Sequence, residues 1–183
     1  MSLPPAAENR VKHILIACIG NIFLGDDGFG VEVAQRLAGR TYPEGVQVVD
    51  FGIRGMELAY TLLDHYDTLV LVDAIQRGGQ PGTVYLIEPE LTNLSPEKGA
   101  EAGRVALDAH SMDPVKVLAF ARAIGAQTIP TLLVGCEPAA FGGTDDYTEM
   151  QMGLSEPVQA AIDEAVKMID SLIEKMYLRP LET

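Results

Sequence analysis

The chain has 183 residues, 48% of them apolar, which suits one domain spanning 1–183 with a real core and excludes a disordered chain. Thirteen Lys plus Arg against 26 Asp plus Glu leave a formal net charge of −13. A surface that acidic repels phosphate, which argues against nucleic acid or an anionic membrane as partner.

Residues 1–11 lack the charged and apolar regions of a signal peptide and are expected to form a flexible N-terminal segment. Strand-like apolar, β-branched runs follow at 13–19, 46–51, 68–73, 83–88 and 128–135. The runs 14–19 and 69–72 are far too short to cross a bilayer. Between the strands come helical patterns. One starts near Gly30 and carries Val31, Ala34 and Leu37 on one face. A second covers 56–63. A third follows Asp113-Pro114, an N-cap with Pro in the first turn, and is expected to turn Val115, Leu118 and Ile124 inward. The last is capped by Ser155 and repeats Val158, Ile162, Ala165, Ile169, Leu172 and Met176 at steps of three and four.

The order β-α-β-α-β-β-α-β-α predicts an α/β three-layer sandwich, a mostly parallel, twisted five-stranded sheet with helices on both faces. The connection 74–82 is too short and glycine-rich for a crossover helix, so the fourth strand is free to run antiparallel. The segment 89–113 has no strong periodicity; it is read as a long loop, either a substrate-contacting flap or a structural linker. Cys18 and Cys136 are not in a CxxC and are expected to be free, buried thiols of a cytoplasmic protein.

In open α/β sheets, ligands bind at the carboxyl ends of the strands. The order of elements sends Asp26 and Asp27 (after strand one), Asp50 (strand two), Asp73 (strand three) and Glu137 (strand five) to that edge. Any one of them has a plain alternative as an N-cap of the next helix. Together they raise one another's pKa or require a cation. His13 and His65 fall elsewhere and are expected to be structural, whereas His110 closes the long loop and can reach the acidic edge by topology. Two carboxylates and an imidazole suit zinc, nickel, iron or manganese better than calcium or magnesium, and leave coordination positions open.

Several familiar motifs fail. Gly20 and Gly25 have phosphate-loop spacing, but Asp26 and Asp27 stand where Lys and a hydroxyl are needed. G-x-G-x-x-G, G-x-S-x-G and HExxH are absent. A receiver-like module would match the acids but needs a Lys after strand five, where the chain has Gly135-Cys-Glu-Pro138. A non-enzymatic receiver-like or metal-sensing module is therefore the alternative reading.

The stretch Ile19-Gly-Asn-Ile-Phe-Leu-Gly-Asp-Asp-Gly-Phe-Gly-Val31 resembles the signature of the [NiFe]-hydrogenase maturation endopeptidases. Asp50-Phe-Gly-Ile-Arg-Gly-Met-Glu-Leu58, Leu71-Val-Asp-Ala-Ile75, Asp108-Ala-His110 and Val134-Gly-Cys-Glu-Pro138 follow in the family's order. Cys18 and Phe51 depart from it, at positions where the family often has Gly. The resemblance implies an endopeptidase that removes the C-terminal extension of a nickel-loaded hydrogenase large-subunit precursor, its partner. It implies Asp27, Asp73 and His110 as the metal-contacting and catalytic set. Nickel would come with the substrate, and zinc or another divalent ion would be accepted by the isolated protein. Asp50 matches a position associated with substrate handling, and Gly20, Asn21, Gly52 and Gly55 are expected to contact the substrate beside it. The loop glycines are expected to leave room for the substrate tail. Asp26 is expected to be a solvated residue shaping the turn.

Overall fold

The structure, a computed structural model, describes residues 11–89, 113–139 and 152–178. Five strands, β1 (Ile14–Ile19), β2 (Val46–Gly52), β3 (Thr68–Ala74), β4 (Val84–Ile87) and β5 (Thr131–Cys136), form one sheet in the order β2-β1-β3-β5-β4. β1 runs parallel to β2 and β3, and β3 parallel to β5. β4 is antiparallel to β5, as the short connection before it allowed.

The central strands β1 and β3 read as near-continuous apolar runs because both of their faces are covered. Their side chains alternate between two cores. Ile14, Ile16, Cys18, Val70 and Val72 pack with α1 (Phe29–Leu37) and the long C-terminal helix, here α4 (Glu156–Leu178). Leu15, Ala17, Ile19, Leu69 and Leu71 pack on the other face with α2 (Gly55–Thr61) and α3 (Pro114–Ala123). The result is the expected three-layer sandwich. On the second face Tyr60 of α2 meets Phe120 of α3 edge-on, with ring centroids 6.4 Å apart.

Three details of the sequence reading change. β5 begins at Thr131 rather than 128, because Pro130 lacks an N–H and instead accepts from the Leu69 amide with its carbonyl (3.0 Å). Val115 of α3 is exposed, and the inward residues are Leu118 and Ala121; Ile124 lies beyond the last turn and is half-buried. The Asp113 cap itself forms, accepting from the Val115 amide at 3.0 Å. In α4, Val158, Ile162, Ala165, Ile169 and Leu172 are buried and Met176 is half-buried. Among the described residues no helix is long and apolar enough to cross a membrane.

Candidate active site

β1 ends in a tight turn because Gly20 adopts φ +148°, a conformation that a side chain would strain. The Gly20 amide donates to the Gly52 carbonyl at the end of β2 (3.1 Å), tying the first two loops together. The chain then folds back, so that the Asn21 amide donates to both the carbonyl (3.1 Å) and the side-chain Oδ2 (3.0 Å) of Asp27. A short 3-10 turn, Asp26–Gly28, leads into α1. Gly30 lets the first turn of α1 sit directly on the sheet, since a Cβ there would run into the carbonyl oxygens of Ile19 and Val72. The space at Gly20, Gly28 and Gly30 is therefore occupied by this chain's own backbone. The expectation that these glycines leave room for a substrate tail is not met there, because close packing of loop and helix takes that room.

Asp73, on the last turn-in of β3, is only 7% exposed and accepts from the Ala74 amide at 2.9 Å. Burial pushes its carboxyl well above the ordinary carboxylate range; the charge of Asp27 pushes it further, the Ala74 amide opposes, and Asp113 adds to the rise. Burial also raises the half-buried Asp27, partly offset by the Asn21 amide. The two acids therefore share a field at the carboxyl edge of the sheet. His110, the third member expected of the set, lies outside the described residues. Among the described residues no group of three or more His, Cys, Asp or Glu side chains is gathered tightly enough to hold a metal. Asp27 and Asp73 supply two carboxylate donors, and a cation between them would relieve both their repulsion and their desolvation.

The other edge acids have different work. Asp26 is 2% exposed rather than solvated, and accepts from the Ala139 amide (2.8 Å) and from the amide (2.7 Å) and hydroxyl (2.9 Å) of Ser155. Its neighbours in sequence hide this role, because the donors come from beyond β5. Glu137 is buried too, and accepts from the Arg77 and Gly78 amides and the Tyr85 hydroxyl, each at 2.9 Å. Burial pushes the Glu137 carboxyl up, but these donors outweigh it and hold it below the usual carboxylate range. Neither acid has an open face for a ligand.

Asp50 ends exposed beside the loop, and Arg54 donates to its carbonyl. It opens onto a groove of about 270 Å³, lined by Gly20, Asn21 and Phe23 of the first loop and by Asp50, Gly52 and Ile53 at the end of β2 and beyond it. Gly55 lies outside this groove, buried in the first turn of α2. Phe23 (47% exposed) and Ile53 (56%) are both open to solvent along it. Residues 22–24 and Ile53 had given no signal in the sequence beyond their apolar type. Exposed large apolar side chains from two different loops lining one groove are the signal that only the structure supplies. Both cysteines are free and buried; burial raises Cys18 and, with Asp26 and Glu137 adding, pushes Cys136 up to about 12. Burial and raised pKa both disfavour the thiolate form that a cysteine nucleophile needs.

Residues 31–172 match a family model described as hydrogenase maturation protease. The chain belongs to the hydrogenase maturation protease family. It is 34% identical over 168 residues to a putative hydrogenase maturation protease of Methanocaldococcus jannaschii, covering 91% of this chain and 99% of that one. It is 29% identical to the hydrogenase 2 maturation protease of Escherichia coli, with 86% and 88% of the two chains covered. The solved hydrogenase maturating endopeptidase HybD from E. coli superposes with a TM-score of 0.66 at 27% identity, over 90% of this chain and 93% of that one. Membership makes the chain an endopeptidase of hydrogenase maturation, a hydrolase of peptide bonds, and displaces the non-enzymatic receiver-like reading.

Proposed function

We propose that this endopeptidase removes the C-terminal extension of a nickel-loaded [NiFe]-hydrogenase large-subunit precursor, reading the nickel through Asp27, Asp73 and His110. The observation that carries the proposal is the pair of carboxylates at the edge of the sheet, one of them buried and raised by the other. Burial and the neighbouring Asp27 carboxylate both oppose ionisation of Asp73, and a cation between the two acids would relieve that opposition. A precursor that brings nickel would satisfy the pair; one without nickel would leave its repulsion and desolvation uncompensated. The metal is thus part of the substrate, and zinc would serve as its probe in the isolated protein.

The groove beside Asp27 is where the extension would lie, with Phe23 and Ile53 against its apolar residues and Asp50 at its mouth. Hydrolysis needs water to add to the scissile carbonyl and a proton to reach the departing amine. Nickel shared between the two proteins would fix that carbonyl beside Asp27, and Asp73, whose carboxyl is raised by burial and by Asp27, would carry the proton. The reaction is assigned to the reducing cytoplasm, which the two free thiols support.

The test is to incubate the protein with nickel-loaded and nickel-free precursor and follow loss of the extension by mass. Only the loaded form should be shortened. Equal cleavage of both would remove nickel recognition, and cleavage of neither would remove the proposed substrate.

A further inference from the structure

Asp26 and Glu137 are two buried carboxylates that peptide hydrolysis does not use, and both end on the same short segment. Asp26 precedes Asp27 directly and accepts from Ala139 and, twice, from Ser155 at the start of α4. Glu137 accepts from Arg77 and Gly78, in the loop that leaves β3 just after Asp73, and from Tyr85 of β4. The backbone repeats the tie: the Ile75 amide donates to the Cys136 carbonyl (2.9 Å), and the Gly82 amide to that of Glu137 (2.8 Å). The segment 136–139 therefore holds the loop of Asp27 on one side and the loop after Asp73 on the other.

We propose that Asp26 and Glu137 are positioning residues which, by anchoring both loops to the 136–139 segment, set the separation of Asp27 and Asp73. The inference rests on the reading of Asp27 and Asp73 as the metal-reading pair. Carboxylates are required because each position collects donors only: three at Asp26, and at Glu137 the amides of Arg77, Gly78 and Gly79 with the Tyr85 hydroxyl. An Asn or Gln of equal size would turn an NH2 toward one of those donors and leave it without a partner. The loop would then shift by an amount small for folding but large for two ligands that must meet one ion.

Asp26→Asn and Glu137→Gln test this in the full chain, with Ile169→Val in the buried face of α4 as a control that weakens packing away from both loops. Two readouts are taken. One is kcat and KM for cleavage of nickel-loaded precursor; the other is hydrogen exchange at Asn21, whose amide binds Asp27, and at Ile75. We expect kcat to fall by about 10- to 100-fold with KM little changed. Exchange should quicken at Asn21 in Asp26→Asn and at Ile75 in Glu137→Gln, while the β1 and β3 amides keep their protection. Ser155→Ala, which removes one donor to Asp26, should lower kcat less, and Ser155→Thr should restore it. If either carboxylate variant will not fold, the Ser155 pair decides the Asp26 arm and Tyr85→Phe, with the same two readouts, decides the Glu137 arm. Unchanged kcat, unchanged exchange, or a kcat loss no greater than that of Ile169→Val would each overturn the proposal. If the wild-type protein leaves loaded precursor intact, the functional reading fails, and the exchange rates alone still decide whether the acids hold the loops.

Discussion

The two ends of the sheet carry similar residues and behave differently. The amino edge has the larger groove, about 780 Å³, with His13, His65, Asp64 and Asp67 on its walls. The carboxyl edge has a groove of about 270 Å³ beside Asp27. At the amino edge His13, Asp64 and His65 are exposed, and Asp67 serves the chain itself by accepting from the His13 amide at 2.9 Å. At the carboxyl edge Asp73 is withdrawn from water and pressed by a second carboxylate. Cavity size and residue type therefore do not tell the two edges apart. Desolvation joined to like charge does, because it creates a need for a proton or a cation that solvent does not meet.

The strongest way to break this contrast is to delete the carboxyl-edge acids Asp27 and Asp73, or the histidine proposed to act with them. Asp27→Ala, Asp73→Ala and His110→Ala should each reduce cleavage of loaded precursor by about a thousandfold or more, measured by release of the extension. Turnover near that of wild type in any of them would remove that residue from the site. Next in size is the groove. The double change Phe23→Ser, Ile53→Ser should raise KM about tenfold with kcat held, whereas Tyr60→Ser and Leu86→Ser, exposed elsewhere, should leave it alone. Gly30→Ala should destabilise the fold by about 1–3 kcal/mol in urea denaturation, since its methyl group meets two strand carbonyls.

A subtler contrast lies in pH. Asp73 in the fold keeps a proton that the unfolded chain has already released in the ordinary carboxylate range, so its effect on stability is unfavourable as pH rises. Stability should fall from the ordinary carboxylate value up to the raised value of Asp73 and level off above it. Asp73→Asn should flatten that slope and be more stable than wild type at neutral pH. Urea midpoints across the range check this; parallel curves for the two proteins would contradict it. The smallest effect belongs to the amino edge, where His13→Ala and His65→Ala should leave cleavage within about twofold.

Much of this was legible from pattern. Ile14 to Ile19 and residues 68–73 read as central strands because burial on both faces leaves 14–19 and 69–72 wholly apolar. Ser155 and Asp113 mark helix starts by residue type and spacing alone, and the short 74–82 connection foretold the antiparallel strand. Val115 was misread because the periodicity fixes a spacing and not which side faces the sheet. Asp26 and Glu137 were grouped with the edge acids because strand order brings them there, yet nothing local shows that the amides of Ala139, Ser155, Arg77 and Gly78 turn in upon them.

By itself, the sequence determined the α/β layering, the strand ends that carry the acids, and the family, because apolar periodicity and the order of loop residues are local properties of the chain. Which acids stay available for chemistry was decided only in three dimensions. Asp26 and Asp27 are adjacent and chemically identical, and they part company because one is surrounded by hydrogen-bond donors and the other faces a buried carboxylate.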